Sequence, residues 1–325
     1  MKKDLHTLEQ RLRAEPESEE LRKEILSACL TPGLEGSALR IRHVAEYLRR
    51  FPRGIFARCP FTHIDPVAFP EAFRLVEEIW LAAHSAHPND PAIARGIALY
   101  VAAADRQRAA GLLREALRCH PGDVHAWLDL GRVAPESTER LRALLEARRL
   151  GAAQTNLLAW IARAALETGE LAVAMGAGNE LLSLVREARL AHGEKLDWTE
   201  RGNACWEKAR SSCTDDATAR ILVKAIGDHA NRKHWGHTAL GVVALRNGDV
   251  VAAREHLLHS AAVVGEPRLS SYGPSFLLAR ELCARGEWRS VSEYLHACEA
   301  FWETELLLHW QEQLERQELP EFPDQ

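Results

Sequence analysis

The chain has 325 residues, 46% of them hydrophobic and 27% charged, a balance that suits a soluble protein with a large core. Its formal net charge of −5 excludes the overall basic field that nucleic-acid binding uses, and no run approaches the ~18 apolar residues of a membrane span. Seven cysteines, an odd count with no C-x2-C pair, and the polar start Met1-Lys2-Lys3-Asp4 without a secretory signal predict reduced thiols and a cytoplasmic protein.

In chain order, helices are expected over residues 5–14 and 17–30, with Glu17, Glu19 and Glu20 favouring the start of the second. Thr31-Pro32-Gly33 interrupts the pattern. A third helix spans 36–51, with Leu39, Val44, Tyr47 and Leu48 on its apolar side. Pro52, Gly54, Pro60 and Pro66 make 52–66 a loop, so residues 1–66 form an N-terminal segment. Repeats run over 67–300, irregular at 189–233, where Trp198, Trp206 and an Asp215-Asp216 start signal suggest two helices with a break near 211–215. A final helix over 302–317, with Trp302, Leu306 and Trp310 on one side, suits a cap. It belongs to an acidic segment, 301–325, and the stretch from 299 onward holds eight acids against Arg316 alone. No strand alternation stands out.

The repeat is a helical hairpin of about 34 positions. Its joint is Gly169-Glu170, Gly248-Asp249 or Gly286-Glu287. Glycine at the joint can take the left-handed conformation that ends a helix, and the acid after it faces the positive end of the next. Small residues recur at positions 8 and 20 (Gly131, Ala162, Gly241 and Ala279; Ala109, Ala174 and Ala253), letting two helices approach closely. Larger residues at 4, 7, 11 and 24, such as Trp127, Leu130, Tyr100 and Leu257, fill the space around them on one helical face.

Trp127-x2-Leu130-Gly131, followed in register by Tyr100, Ala109, Ala116 and Pro121 in the neighbouring unit, resembles the tetratricopeptide repeat (TPR) family, as does His237–Leu245 with Gly248-Asp249. The whole chain is also similar to bacterial tetratricopeptide-like proteins in Arg42-His43 with Pro52, Leu257-Leu258, Leu269–Pro274 and Cys298-x2-Phe301-Trp302. The resemblance implies an all-α, right-handed superhelix of TPR-like hairpins that binds a protein or peptide in a concave face, without cofactor or metal and without catalysis.

In that family, positions 2, 5, 9, 12 and 13 of the first helix tend to face the groove. Position 9 holds Arg132, Arg163 and Arg280; position 13 holds Arg246, and position 6 holds Arg95 and Trp160. Trp235 and Phe276 fall at positions 2 and 5. The expected ligand is therefore acidic or phosphorylated, with hydrophobic anchors, since arginine favours bidentate contact with such groups. The chain's own acidic segment is a potential competitor. The alternative is that these arginines pair with neighbours such as Glu167 and Glu281.

Two other readings are open. Residues 17–51, with Arg40, Arg42, Arg49 and Arg50, offer helices for a peptide-responsive regulatory sensor, though without a basic recognition helix. His229, His234 and His237, beside Asp228, together with His256 and His259, offer a metal-dependent enzyme, without an H-E-x-x-H signature. Packing is the plainer role for those histidines and for Cys298. Ser270-Ser271-Tyr272 before Gly273-Pro274 reads as a helix start, and Gly176-x-Gly178 as two glycines that permit close packing.

Overall fold

The computed structural model describes residues 5–30, 37–192, 216–263, 269, 273–302 and 304–323. Among them are fifteen α-helices, two short 3-10 turns and no strand. Trp198, Trp206, Cys205, Cys213, Asp215 and Ser270-Ser271-Tyr272 lie outside the described residues. Backbone packing divides the chain into two compact units, Met1–Ala152 and Ala153–Gln325.

The first unit holds α1 (Leu5–Ala14), α2 (Glu19–Ala28), α3 (Ala38–Arg50), α4 (Pro70–Ala86), α5 (Pro91–Val101), α6 (Arg106–Cys119), α7 (Val124–Val133) and α8 (Ser137–Arg149). Each packs on the next. Short polar side chains set the starts. Ser18, Ser37, Asp90, Asp105 and Asp123 each accept an N–H from the first turn they precede, which is why α2 begins two residues after the expected Glu17. Residues 52–66 are irregular as expected, with turns at Ile55–Arg58 and Pro60–Thr62, but they are not a detached linker. Ala57, Thr62 and Ile64 are buried, and Phe56 stacks on Phe61 at 5.1 Å and meets Tyr47 at 5.4 Å. One apolar core therefore runs from Leu26 through Tyr47, Trp80, Ile97 and Leu113 to Ala143, across residue 66.

The second unit holds α9 (Leu157–Thr168), α10 (Leu171–His192), α11 (Asp216–Arg246), α12 (Val250–Ala261), α13 (Leu277–Cys283), α14 (Trp288–Cys298) and α15 (Glu305–Glu315). The three joints behave as the spacing requires: Gly169, Gly248 and Gly286 have φ of 79°, 89° and 80°. Asp249 caps α12 by accepting the Ala252 N–H, whereas Glu287 makes no cap bond and pairs with Arg254 instead. α11 runs as one helix through residues 216–233 and into the repeat that begins at His234, and the expected break near 211–215 lies outside the described residues.

The hairpins in both units close on small residues. Ala109, Ala162, Ala174, Ala253 and Ala279, the small residues of the repeat, are fully buried where helices meet. A Cβ on Gly131 would lie 2.6 Å from Leu144 of the paired helix, and one on Gly241 would lie 2.3 Å from Leu278 and 3.0 Å from His256 Cβ. Gly241 thus meets α12 one turn on from Ala253 and also meets the next hairpin. Gly241→Leu is expected to overpack this contact and lower stability by about 1–3 kcal/mol in urea denaturation; unchanged stability would contradict the repeat register. Of the other glycine pair, Gly178 lies close against Leu240 and the Gly236 carbonyl, while Gly176 has open space beside it, so only one of the two serves packing.

The last helix differs in its face from the expectation. Thr304 caps α15, and the buried positions are Leu307, Trp310 and Leu314, at i, i+3 and i+7, while Leu306 is 49% exposed. Trp302, just before the helix, is buried over Gly273. Cys298 is fully buried, and burial pushes the Cys283 thiol up to about 12, so both behave as core residues.

Candidate functional site

The arginines of the repeat fall into different environments. In the first unit, Arg95 Nε donates to Asp129 Oδ2 at 2.7 Å, with side-chain exposures of 14% and 7%. Burial pushes the Asp129 carboxyl up, and the charges of Arg95, Arg132 and Arg58 act against that rise. Arg95 is therefore turned into the packing of α5 on α7. Arg132 is exposed, with Nη1 at 3.9 Å from the same carboxylate.

In the second unit, Arg163 Nε donates to Glu167 one turn along α9 at 3.0 Å. Glu281 is taken by Arg246, whose Nη2 donates to it at 2.5 Å, while Nη1 donates to the Leu166 carbonyl at 2.6 Å. Arg246 so ties α9, α11 and α13 together. Trp160 and Trp235 are half-buried, and the Trp235 indole meets the His234 ring edge to face at 6.1 Å.

Arg280 does something different. Its Nη2 donates to the carbonyls of Phe322 at 2.7 Å and Pro323 at 3.4 Å. Phe276, one turn before Arg280, is buried under the same segment: the Phe322 ring stacks on it at 4.9 Å with 3° between planes. Trp310 closes the slot, with its ring centroid 5.1 Å from Phe276 and 5.2 Å from Phe322, and Trp302 meets Phe276 at 5.8 Å. Residues 318–323 carry no helix, so an irregular stretch of chain lies in an aromatic slot with its backbone held by a guanidinium. The resemblance implies groove positions for Phe276 and Arg280. It gave no sign that Phe322, more than forty residues on, would fill them; the only signal was a lone aromatic in an acidic stretch.

The histidines serve packing and one another. His234 is fully buried, donates from Nδ1 to the Ser260 carbonyl at 3.0 Å and accepts the Ser275 N–H on Nε2 at 2.9 Å. Both ring nitrogens are thereby used by a neutral tautomer that links α11 to the segments on either side of it in space. His237 meets His256 Nδ1 to Nδ1 at 2.9 Å, and its ring lies 5.1 Å from that of His259. Burial, then the two neighbouring rings, hold His237 down to about 3. Among the described residues no three His, Cys, Asp or Glu side chains are arranged to hold a metal ion.

The basic cluster of α3 is not one face. Arg40 is buried and donates to the Phe61 and His63 carbonyls, at 3.4 and 2.7 Å, fixing the turns after α3, while Arg42 and Arg50 pair with Glu9 and Glu17. No described helix is long and apolar enough to cross a membrane.

No family model matches the chain, and no curated protein matches it. Among solved structures it is similar to the TPR domain of P58(IPK), a crystal structure, at 12% identity over 96% of this chain and 92% of that one, with a TM-score of 0.22.

Proposed function

We propose that this chain is a non-catalytic, cytoplasmic scaffold or adaptor that binds a protein or peptide on its helical hairpins. The observation that carries this reading is the slot formed by Phe276, Trp310 and Arg280. It already holds an irregular segment of polypeptide through an aromatic anchor and two carbonyl contacts. That is the chemistry by which a helical surface reads a peptide: a desolvated aromatic supplies affinity, and a rigid fork of donors supplies orientation.

In this reading the partner's segment carries a hydrophobic anchor and acidic or phosphorylated residues. The anchor replaces Phe322 and the acids meet Arg163, Arg246 and Arg280, with the half-buried Trp160 and Trp235 of the same unit as further contacts. A phosphate or carboxylate competes with Glu167 and Glu281 for the same guanidinium groups, so a ligand of higher charge density is favoured over a neutral one.

The test is an array of acidic and phosphorylated peptides probed with the wild-type chain and with an Arg163→Glu, Arg280→Glu variant. Peptides retained by the wild type should bind the variant about tenfold or more weakly, since each charge-assisted bond contributes about 1.5–3 kcal/mol. Equal retention by both proteins would remove the arginines from the binding site.

A further inference from the structure

The first unit contains a hollow that none of the readings above uses. It has a volume of 510 Å3 and lies among α6, α7 and α8. That volume is within the range of small-molecule sites, about 300–1,000 Å3. Its base is apolar: Leu117, Leu130 and Ala143 are buried there, and the half-buried Trp127 forms part of the wall. The Trp127 indole is fixed by its Nε1–H, which donates to the Pro121 carbonyl at 2.8 Å.

The charged lining is unbalanced. Arg114 donates bidentately to Glu139 at 2.6 and 2.7 Å, so these two neutralise one another. Arg118 and Arg142 remain. The nearest carboxylate to Arg118 is Glu115, 3.8 Å away with both side chains mostly exposed, and Glu115 is not in the lining. Arg142, also exposed, makes no hydrogen bond to a described residue; its charge acts on Glu139, already held by Arg114, and on Glu146, which pairs with Arg149 and is outside the lining. Two guanidinium groups over an apolar base favour a ligand with an anionic head and an apolar body. A cation would be repelled, and a bare anion would leave the base in contact with water.

We propose that this hollow binds a small organic anion, an aryl or alkyl carboxylate or phosphate. Its apolar body lies against Trp127, Leu117 and Leu130, and its head is held by Arg118 and Arg142. The proposal does not depend on the slot in the second unit.

Phenyl phosphate is the probe, titrated calorimetrically into the full chain, with inorganic phosphate and phenol as comparisons. Saturable one-to-one binding is expected, about tenfold or more tighter than for either comparison compound. Arg118→Glu with Arg142→Glu should weaken it about tenfold or more, as should added salt. Both residues are exposed, so the variant should keep the wild-type circular dichroism; the single Arg142→Gln variant serves if it does not. Absence of saturable binding, equal binding of inorganic phosphate, or binding unchanged in the variants would overturn the proposal.

Discussion

A Trp310→Ala variant is expected to lose about 3–5 kcal/mol of stability, the range for removing a large aromatic from a packed core. Trp310 is 3% exposed and sits at the centre of a group of rings, with centroids 5.1 Å from Phe276, 6.0 Å from Trp302 and 5.2 Å from Phe322. Its neighbours Leu307 and Leu314 are held on the same face of α15, so they cannot collapse into the space without unwinding the helix. Leu306→Ala, one turn earlier on the exposed side, should change stability by no more than about 0.5 kcal/mol. Urea denaturation of the two variants separates these positions. A Trp310→Ala protein as stable as the wild type would mean that α15 does not cover the hairpin of α13 and α14.

Acid should weaken the second unit between pH 7 and pH 5. Burial holds His229 and His234 down to about 4 from an ordinary value of 6.5, with the nearby cations adding to the effect at His229. The unfolded chain therefore binds more protons than the folded one between those limits, and stability falls as the pH drops through that window. From pH 7 to pH 5 the loss is about 2 kcal/mol for each of these two histidines. His237 and His256, and His43 and His63 in the first unit, are lowered in the same direction by burial and add to the loss. Carboxylates such as Glu19 and Glu139, held below 4.5 by hydrogen bonds to Tyr47 and Arg114, contribute only at lower pH. Urea midpoints at pH 7 and pH 5 check this. Equal stability at the two values would show that the histidines are hydrated in the folded state.

The hairpin architecture was legible because its causes are local. A joint glycine needs only its own backbone angle, and Gly169, Gly248 and Gly286 each take the left-handed one. Small residues at two fixed positions mark a helix contact wherever they occur, and Ala253 and Gly241 do so here. The boundaries were less clear where side chains decide them: Ser18 and Thr304 as caps shifted two helix starts, and Leu307, not Leu306, shares the buried face with Trp310. The candidate site was the least legible. Position 9 of the repeat says where an arginine is placed on its helix but not what it meets. Arg163 meets a neighbour four residues on, while Arg280 meets carbonyls more than forty residues on. Arg40 looked like a member of a surface cluster until the turns after α3 closed over it. Contacts of that range depend on the tertiary course of the chain, which periodicity does not carry.

The central claim is that the slot of Phe276, Trp310 and Arg280 recognises peptide. It is tested most directly by emptying the slot with Phe322→Ala and titrating in a fluorescent peptide of residues 319–325, followed by polarisation. The peptide should bind this variant saturably in trans and bind the wild type, whose slot is occupied, far more weakly. Adding Arg280→Glu should reduce the affinity about tenfold or more. A folded Phe322→Ala protein that does not bind the peptide, or that binds it equally with and without Arg280→Glu, would contradict the account.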